Sequence, residues 1–200
     1  MLTRYVRPTS AEDAVANALA QVGTGVYGLA KGAGIWAQSP LDEDGLCDCS
    51  HFVCWDLGVA MKNPGRWYLN TDGMVADAFK LAHPGGPIVG FGPQEVFIPV
   101  PAGEAPRPGD VVVKQGVWVR VEDPVTKKYR WIRKRPGHTG LIVAVADDFE
   151  RGNQDDNVWC EDVQVVHCAT HRRGRPAIRQ SDATAWRWDG FLLRCKLLAA

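Results

Sequence analysis

The sequence predicts a single-domain α+β fold, with a helical part over about residues 10–82 and a strand-rich part over about residues 95–198. Three observations lead there. Apolar residues at helical spacing are confined to the first part, and runs of β-branched and aromatic residues to the second. Between them Pro84-Gly85-Gly86-Pro87 interrupts any periodic element. The third observation is size: 200 residues, 46% hydrophobic and 23% charged, suffice for one well-filled core.

Ser10-Ala11-Glu12-Asp13 reads as an N-cap followed by acidic residues in the first turn, with Val15, Leu19 and Val22 forming one apolar stripe before Gly23 ends the helix. The glycine-rich segment 23–34 then shows neither helical nor strand period and is a loop. It lacks a Gly-Lys-Ser/Thr ending and does not form a GxGxxG after a strand, so a phosphate cradle is set aside. Its hydroxyl-bearing aromatic, Tyr27, either lines a site or plugs the loop against the core. A surface connection over 38–45 leads to a second helix from Cys49 to about Met61, with Phe52, Val53, Leu57 and Ala60 inward and Asn63-Pro64-Gly65 as its stop. Thr71 or Asp72 caps a third helix with Val75, Phe79 and Leu81 inside. Trp67 and Tyr68 before it suit core packing better than a groove wall.

In the second part, Arg107-Pro108-Gly109-Asp110 is a turn into the strand Val111-Val112-Val113. Segments 117–121 and 129–132 flank a polar connection as a hairpin. Pro136-Gly137 precedes His138-Thr139-Gly140 and the apolar run 141–146, a buried strand with His138 at its start. After a polar loop over 147–157, strand 163–168 carries His167, and 190–197 is the last strand.

Lys plus Arg and Asp plus Glu both number 23, so net charge makes no case for a nucleic-acid or membrane partner. The basic stretches 127–135 and 171–175 could grip an anionic polymer, but a solvated hairpin and loop explain them more simply. The N-terminus has no apolar run of signal-peptide length and no segment is apolar enough to span a bilayer, so the expectation is a chain made in the cytoplasm. Six cysteines at irregular spacing favour reduced thiols over a disulfide framework. Cys47, Cys49, Cys54, Cys160, His167 and Cys168 could supply zinc ligands, yet they lack the paired knuckles of a structural zinc site; no metal or other cofactor is expected.

Cys49 stands at a helix entrance, where the helix dipole and unpaired amides favour a thiolate and offer donors to an oxyanion. The alternative is a small buried hydrophobe. His138 and His167, on neighbouring strands, fit nucleophilic catalysis: His138 takes the thiol proton and returns it to the leaving amine, while His167 holds the His138 ring in one tautomer. The Cys49 amide and Tyr27 are the oxyanion donors this scheme suggests.

Asp48-Cys49-Ser50-His51-Phe52-Val53 resembles the Asp-Cys-Ser-Gly-aliphatic motif of the NlpC/P60 cysteine peptidases, and Arg107-Pro108-Gly109-Asp110-Val111 their Pro-Gly-Asp turn. Gly137-His138-Thr139-Gly140 is similar to their Gly-His-Val-Gly strand, and Val165-Val166-His167-Cys168-Ala169 to their third element. Tyr27 falls where that family has a tyrosine before the nucleophile helix. The resemblance implies a papain-like fold, the nucleophile helix packed on an antiparallel β-sheet, and hydrolysis of amide bonds in peptidoglycan stem peptides. It implies Cys49 as nucleophile, His138 as base, His167 as orienting residue, and Asp48, Ser50 and Tyr27 on the substrate side. His51 replaces the family's glycine and is positioned to crowd the cleft, contact substrate or compete as a base. A wall enzyme made without a signal implies a phage or secretion apparatus and an immunity or delivery protein as partner. Two other readings stand beside this one: a catalytically silent module of the same fold that binds a peptide or polymer, and a cysteine amidase or acyltransferase acting on a non-wall substrate.

Overall fold

The computed structural model describes residues 7–28, 39–61, 68–80, 93–147, 149, 161–170, 175–186 and 190–198. The glycine-rich segment beyond Gly28, Trp67, the stop at 63–65, Leu81, the break at 84–87, most of the polar loop over 147–157, Cys160 and the basic residues 171–174 lie outside them.

Helix α1 (Ala11–Ala20) is capped by Ser10, whose hydroxyl accepts from the Asp13 amide. Its buried face is Ala14, Asn17 and Ala18, whereas Leu19 and Val22 are exposed. The helix therefore docks mainly through small residues, and of the expected aliphatic stripe Val15 packs against the core while Leu19 and Val22 do not. Helix α2 (Cys49–Asp56) ends at Leu57, short of Met61, and buries Phe52, Val53, Cys54 and Trp55. Helix α3 (Thr71–Phe79) is capped by Asn70 and not by Thr71 or Asp72. Val75 is inside as expected, while Phe79 is 39% exposed and meets the Phe191 ring edge-on.

Strands β1 (Val26–Tyr27) and β2 (Leu46–Cys47) form a short parallel pair with Tyr27 opposite Cys47, which brings the tyrosine to the approach of α2. The main sheet contains β3 (Phe97–Pro99), β4 (Val111–Lys114), β7 (His138–Val145), β8 (Val163–Cys168), β9 (Ile178–Asp182) and β10 (Gly190–Cys195). They pair antiparallel in the order β3-β10-β4-β7-β8-β9. Strands β5 (Val117–Glu122) and β6 (Tyr129–Arg135) form the expected hairpin, a separate two-stranded sheet among the described residues, between β4 and β7 in the chain.

Alternation along the strands separates two apolar layers. Val111, Val113, Leu141, Val166 and Leu193 join Phe52, Val53, Leu57, Met74 and Val75 in the core shared with the helices. Val112, Ile142, Val163 and Val165 face the other way and pack with Ala183 and Trp186 of a 3-10 turn, Ala183–Trp186.

Two buried carboxylates tie connections to the sheet. Asp77 accepts from the amides of Glu95, Val96 and Phe97 at 2.7, 2.8 and 2.9 Å and so anchors the approach to β3. Asp110 receives both prongs of Arg194 on β10, at 2.8 and 2.9 Å, and the Arg107 amide at 3.0 Å. The Pro-Gly-Asp turn is thus a structural clamp. No helix among the described residues is long and apolar enough to cross a membrane.

Candidate active site

Asp48 caps α2: its Oδ1 accepts from the His51 amide at 2.9 Å and the Ser50 hydroxyl at 2.8 Å. Cys49 is consequently the first helical residue, with its amide at the positive end of the helix. Phe52 and Val53, fully buried beneath it, hold this helix on the sheet, where α2 packs against β7 and β8. A cleft of about 260 Å³ opens above, lined by Tyr27, Asp48, Cys49, Ser50, Tyr68, Asn70, Thr71, Arg133, Pro136 and Gly137. Three of the four residues expected on the substrate side, Tyr27, Asp48 and Ser50, therefore share one cavity with the thiol. The fourth, His51, serves Asp48 through its backbone and is not part of the lining.

Two glycines make the histidine arrangement sterically feasible. A Cβ on Gly137 would fall 2.2 Å from Thr71 Oγ1 and 2.4 Å from the Lys114 carbonyl oxygen, so only glycine lets the chain enter β7 against the start of α3. The β7–β8 register pairs Leu141 with Val166, and one step further brings Gly140 opposite His167. A Cβ there would lie 2.9 Å from the His167 Cβ and 2.4 Å from a Val165 methyl. Its absence lets His167 lean toward His138, which stands on the same face of β7 as Gly140.

The two imidazoles meet directly, His138 Nε2 to His167 Nδ1 at 2.7 Å. The His167 Nε2 lies 3.1 Å from the Ser181 hydroxyl, whose single hydrogen is donated to the Asp182 carbonyl at 2.9 Å. Ser181 must therefore accept from His167, His167 Nδ1 must accept from His138 Nε2, and His138 Nδ1 is left with its lone pair. Trp186 closes the arrangement from outside. Its ring stacks on His138 at 5.0 Å, meets His167 edge-on at 5.3 Å, and its indole N–H donates to the His138 carbonyl at 3.2 Å.

Burial pushes His138 down to about 4 and His167 down to about 3, helped by Arg179 near both, so the pair is uncharged at neutral pH. Burial, with the Asp48 carboxylate behind it, pushes the Cys49 thiol up to about 12. This runs against the expectation of a thiolate at a helix start: only 5% of Cys49 is exposed, and desolvation outweighs the dipole. The Thr139 and Ser50 amides pull the other way by donating toward the sulfur. Thr139 follows His138 in the chain, so the thiol rests against the entrance of β7. Among the described residues no hydrogen bond joins Cys49 Sγ to either ring, and His138 is not part of the cleft lining. Tyr27 is pushed up by its own burial and by the proximity of Cys49 and Asp48, so its hydroxyl stays protonated and remains a donor at the cleft wall.

Ser181, Trp186, Thr139 and Arg133 are the site residues that sequence reasoning does not single out. The first two lie in Ile178-Arg179-Gln180-Ser181-Asp182 and its continuation, where no apolar alternation marks a strand. Arg133 sits within a basic stretch that reads as surface, although its place three residues before Pro136-Gly137-His138 is a usable signal. No three His, Cys, Asp or Glu side chains converge as a metal site among the described residues. No protein-family model, curated protein or solved structure matches the chain.

Proposed function

We propose that the protein is a cysteine amidase or endopeptidase that hydrolyses amide bonds in peptidoglycan stem peptides, on a papain-like fold of NlpC/P60 type. The observation that carries this reading is Cys49 at the head of α2, its sulfur facing the amide of Thr139, the neighbour of His138 in the chain, and sharing one cleft with Tyr27, Asp48 and Ser50. Because thiol and imidazole are both uncharged at rest, the proton moves as attack occurs and not beforehand. The sulfur bonds to the scissile carbonyl carbon while its proton passes to His138 Nδ1. The carbonyl oxygen, now negative, is received by the Cys49 amide and the Tyr27 hydroxyl. Collapse breaks the C–N bond, the amine leaves with the proton from His138, and water then hydrolyses the thioester by the same steps. Asp48 and Ser50 line the substrate side. Delivery to the wall by a phage or secretion apparatus, with an immunity or delivery protein as partner, belongs to the same proposal.

The test is digestion of purified peptidoglycan with mass analysis of the fragments. Wild-type protein releases new amines and peptides, and Cys49→Ala lowers that release at least about a thousandfold, the scale on which a covalent nucleophile matters. Equal release by both proteins, or none by either, refutes the hydrolase reading.

The raised Cys49 pKa and the absence of a Cys49–His138 hydrogen bond favour a second reading, a silent binding module of the same fold. Alkylation separates the two. A module leaves Cys49 no more reactive than Cys54 or Cys195, whereas a hydrolase makes it the fastest of the three.

A further inference from the structure

We propose that the Arg133 guanidinium, delivered by the β5–β6 hairpin to the rim of the Cys49 cleft, is a carboxylate-binding subsite, so that the preferred substrate carries a free carboxylate beside its scissile amide. This rests on reading the cleft as hydrolytic and adds the chemistry of what it accepts.

The hairpin is fixed at its base by the buried Asp72, whose Oδ1 accepts from the Gly116 amide at 2.8 Å and whose Oδ2 accepts from the Trp118 indole N–H at 2.9 Å. Asp72 thus spends its close hydrogen bonds on the backbone and ring of the hairpin. Arg133 reaches it only through Nη2 at 3.7 Å, and the same Nη2 donates to Thr71 Oγ1 at 3.0 Å. The Nε and Nη1 donors have no hydrogen-bond partner among the described residues. The group is nonetheless held in place. Its guanidinium lies so close over Gly116 that a Cβ there would come within 2.5 Å of Nε, and its Cζ sits 5.7 Å from the centre of the Trp118 ring.

A guanidinium carries two parallel N–H pairs, Nε with Nη2 and Nη1 with Nη2, and a carboxylate matches the pair that the Thr71 hydroxyl leaves open. Its charge faces the cleft: Arg133 acts on the Tyr27 hydroxyl and lines the same cavity as Cys49. Two other cations of the hairpin are engaged within it. Arg120 lies over the Tyr129 ring at 4.2 Å, and Lys127 pairs with Glu122 at 3.6 Å. A cationic or apolar substrate group at Arg133 would leave its open donors unmatched and a neutral carbonyl would leave its charge uncompensated, whereas a carboxylate satisfies both.

Two readouts test this. Cys49 is alkylated at pH 9 with iodoacetate and with iodoacetamide, reagents of one size that differ by a carboxylate, and its labelling is followed by peptide mass mapping. In Arg133→Gln the iodoacetate rate should fall about tenfold while the iodoacetamide rate stays within about twofold, and Arg133→Lys should keep most of the iodoacetate preference. The unchanged iodoacetamide rate shows that the variant is folded. Equal effects on both reagents, or no effect on either, overturn the subsite. The second readout uses peptidoglycan fragments before and after carbodiimide conversion of their carboxylates to amides. Wild-type kcat/KM should be at least about tenfold higher on the free acids, mainly through KM, and Arg133→Gln should lose that preference. Equal rates on both forms overturn the subsite. If neither form is cleaved but iodoacetate selectivity still depends on Arg133, the hydrolase reading fails and the anion subsite stands.

Discussion

At Ser181 a hydroxyl gives its one hydrogen to a backbone carbonyl and thereby orders two histidines, although it is far from the thiol in sequence. Ser181→Ala removes the acceptor for His167 Nε2–H, so both imidazoles are free to exchange tautomers. The expected outcome is a kcat about tenfold lower with KM unchanged, at a stability cost of about 1 kcal/mol. Nitrogen NMR of the two rings should show mixed tautomers where the wild type shows one. A merely structural serine would leave those ring signals unchanged. Cys49, His138 and His167 are legible in the sequence because each sits beside a glycine, a capping aspartate or an apolar run with a recognisable local role. Ser181 is not, since its neighbours Arg179, Gln180 and Asp182 are polar and its strand exists only because β8 offers an edge to pair with.

The elements were legible wherever period and composition agree, as in β7, β8 and the β5–β6 hairpin, and misread where burial came from small residues or caps. In α1 the docking face is Ala14, Asn17 and Ala18, a pattern with no hydrophobic stripe to detect. In α3 the Asn70 side chain takes the Gly73 amide at 2.8 Å, one residue ahead of the candidates Thr71 and Asp72, and Asp72 is drawn instead to the hairpin. The closeness of β7 to β8 at the histidines depends on one missing side chain. Gly140→Ala puts a methyl 3.0 Å from the Val166 carbonyl oxygen, which the ladder holds in place, and 2.4 Å from the Val165 methyl. The expected cost is about 1–3 kcal/mol in urea denaturation. Activity at a temperature where the variant is fully folded should fall further than stability does, because His167 is pushed away from His138.

At the scale of the molecule, burial of ionisable groups shapes the response to pH. His138 and His167 are held below the ordinary 6.5, so the unfolded chain takes up protons that the folded chain refuses once the pH drops below that value. Their contribution is neutral above pH 6.5 and becomes destabilising as the pH falls toward about 4, with a slope of up to roughly 1.4 kcal/mol per pH unit for each ring. Asp56 acts in the opposite sense. It is fully buried, neither carboxylate oxygen has a hydrogen-bond partner among the described residues, and desolvation holds it protonated well above the ordinary 3.8. The unfolded chain loses that proton above 3.8 while the folded chain keeps it, so stability drains as pH rises. Asp56→Asn should therefore flatten the alkaline decline and steepen the acid one, read as urea midpoints from pH 4 to 9. Parallel profiles for the two proteins would refute this account of Asp56.

Strand β10, residues 190–195, lies between β3 and β4 and is clamped to the Pro-Gly-Asp turn by Arg194. A segment made after Cys49, His138 and His167 thus occupies an interior slot, one in from the β3 edge, in the sheet that supports α2 and the histidine strands. During synthesis, a nascent chain that already contains Cys49, His138 and His167 still lacks the strand that joins β3 to β4. The candidate site consequently depends on a strand that leaves the ribosome after all three of those residues and carries none of their chemistry.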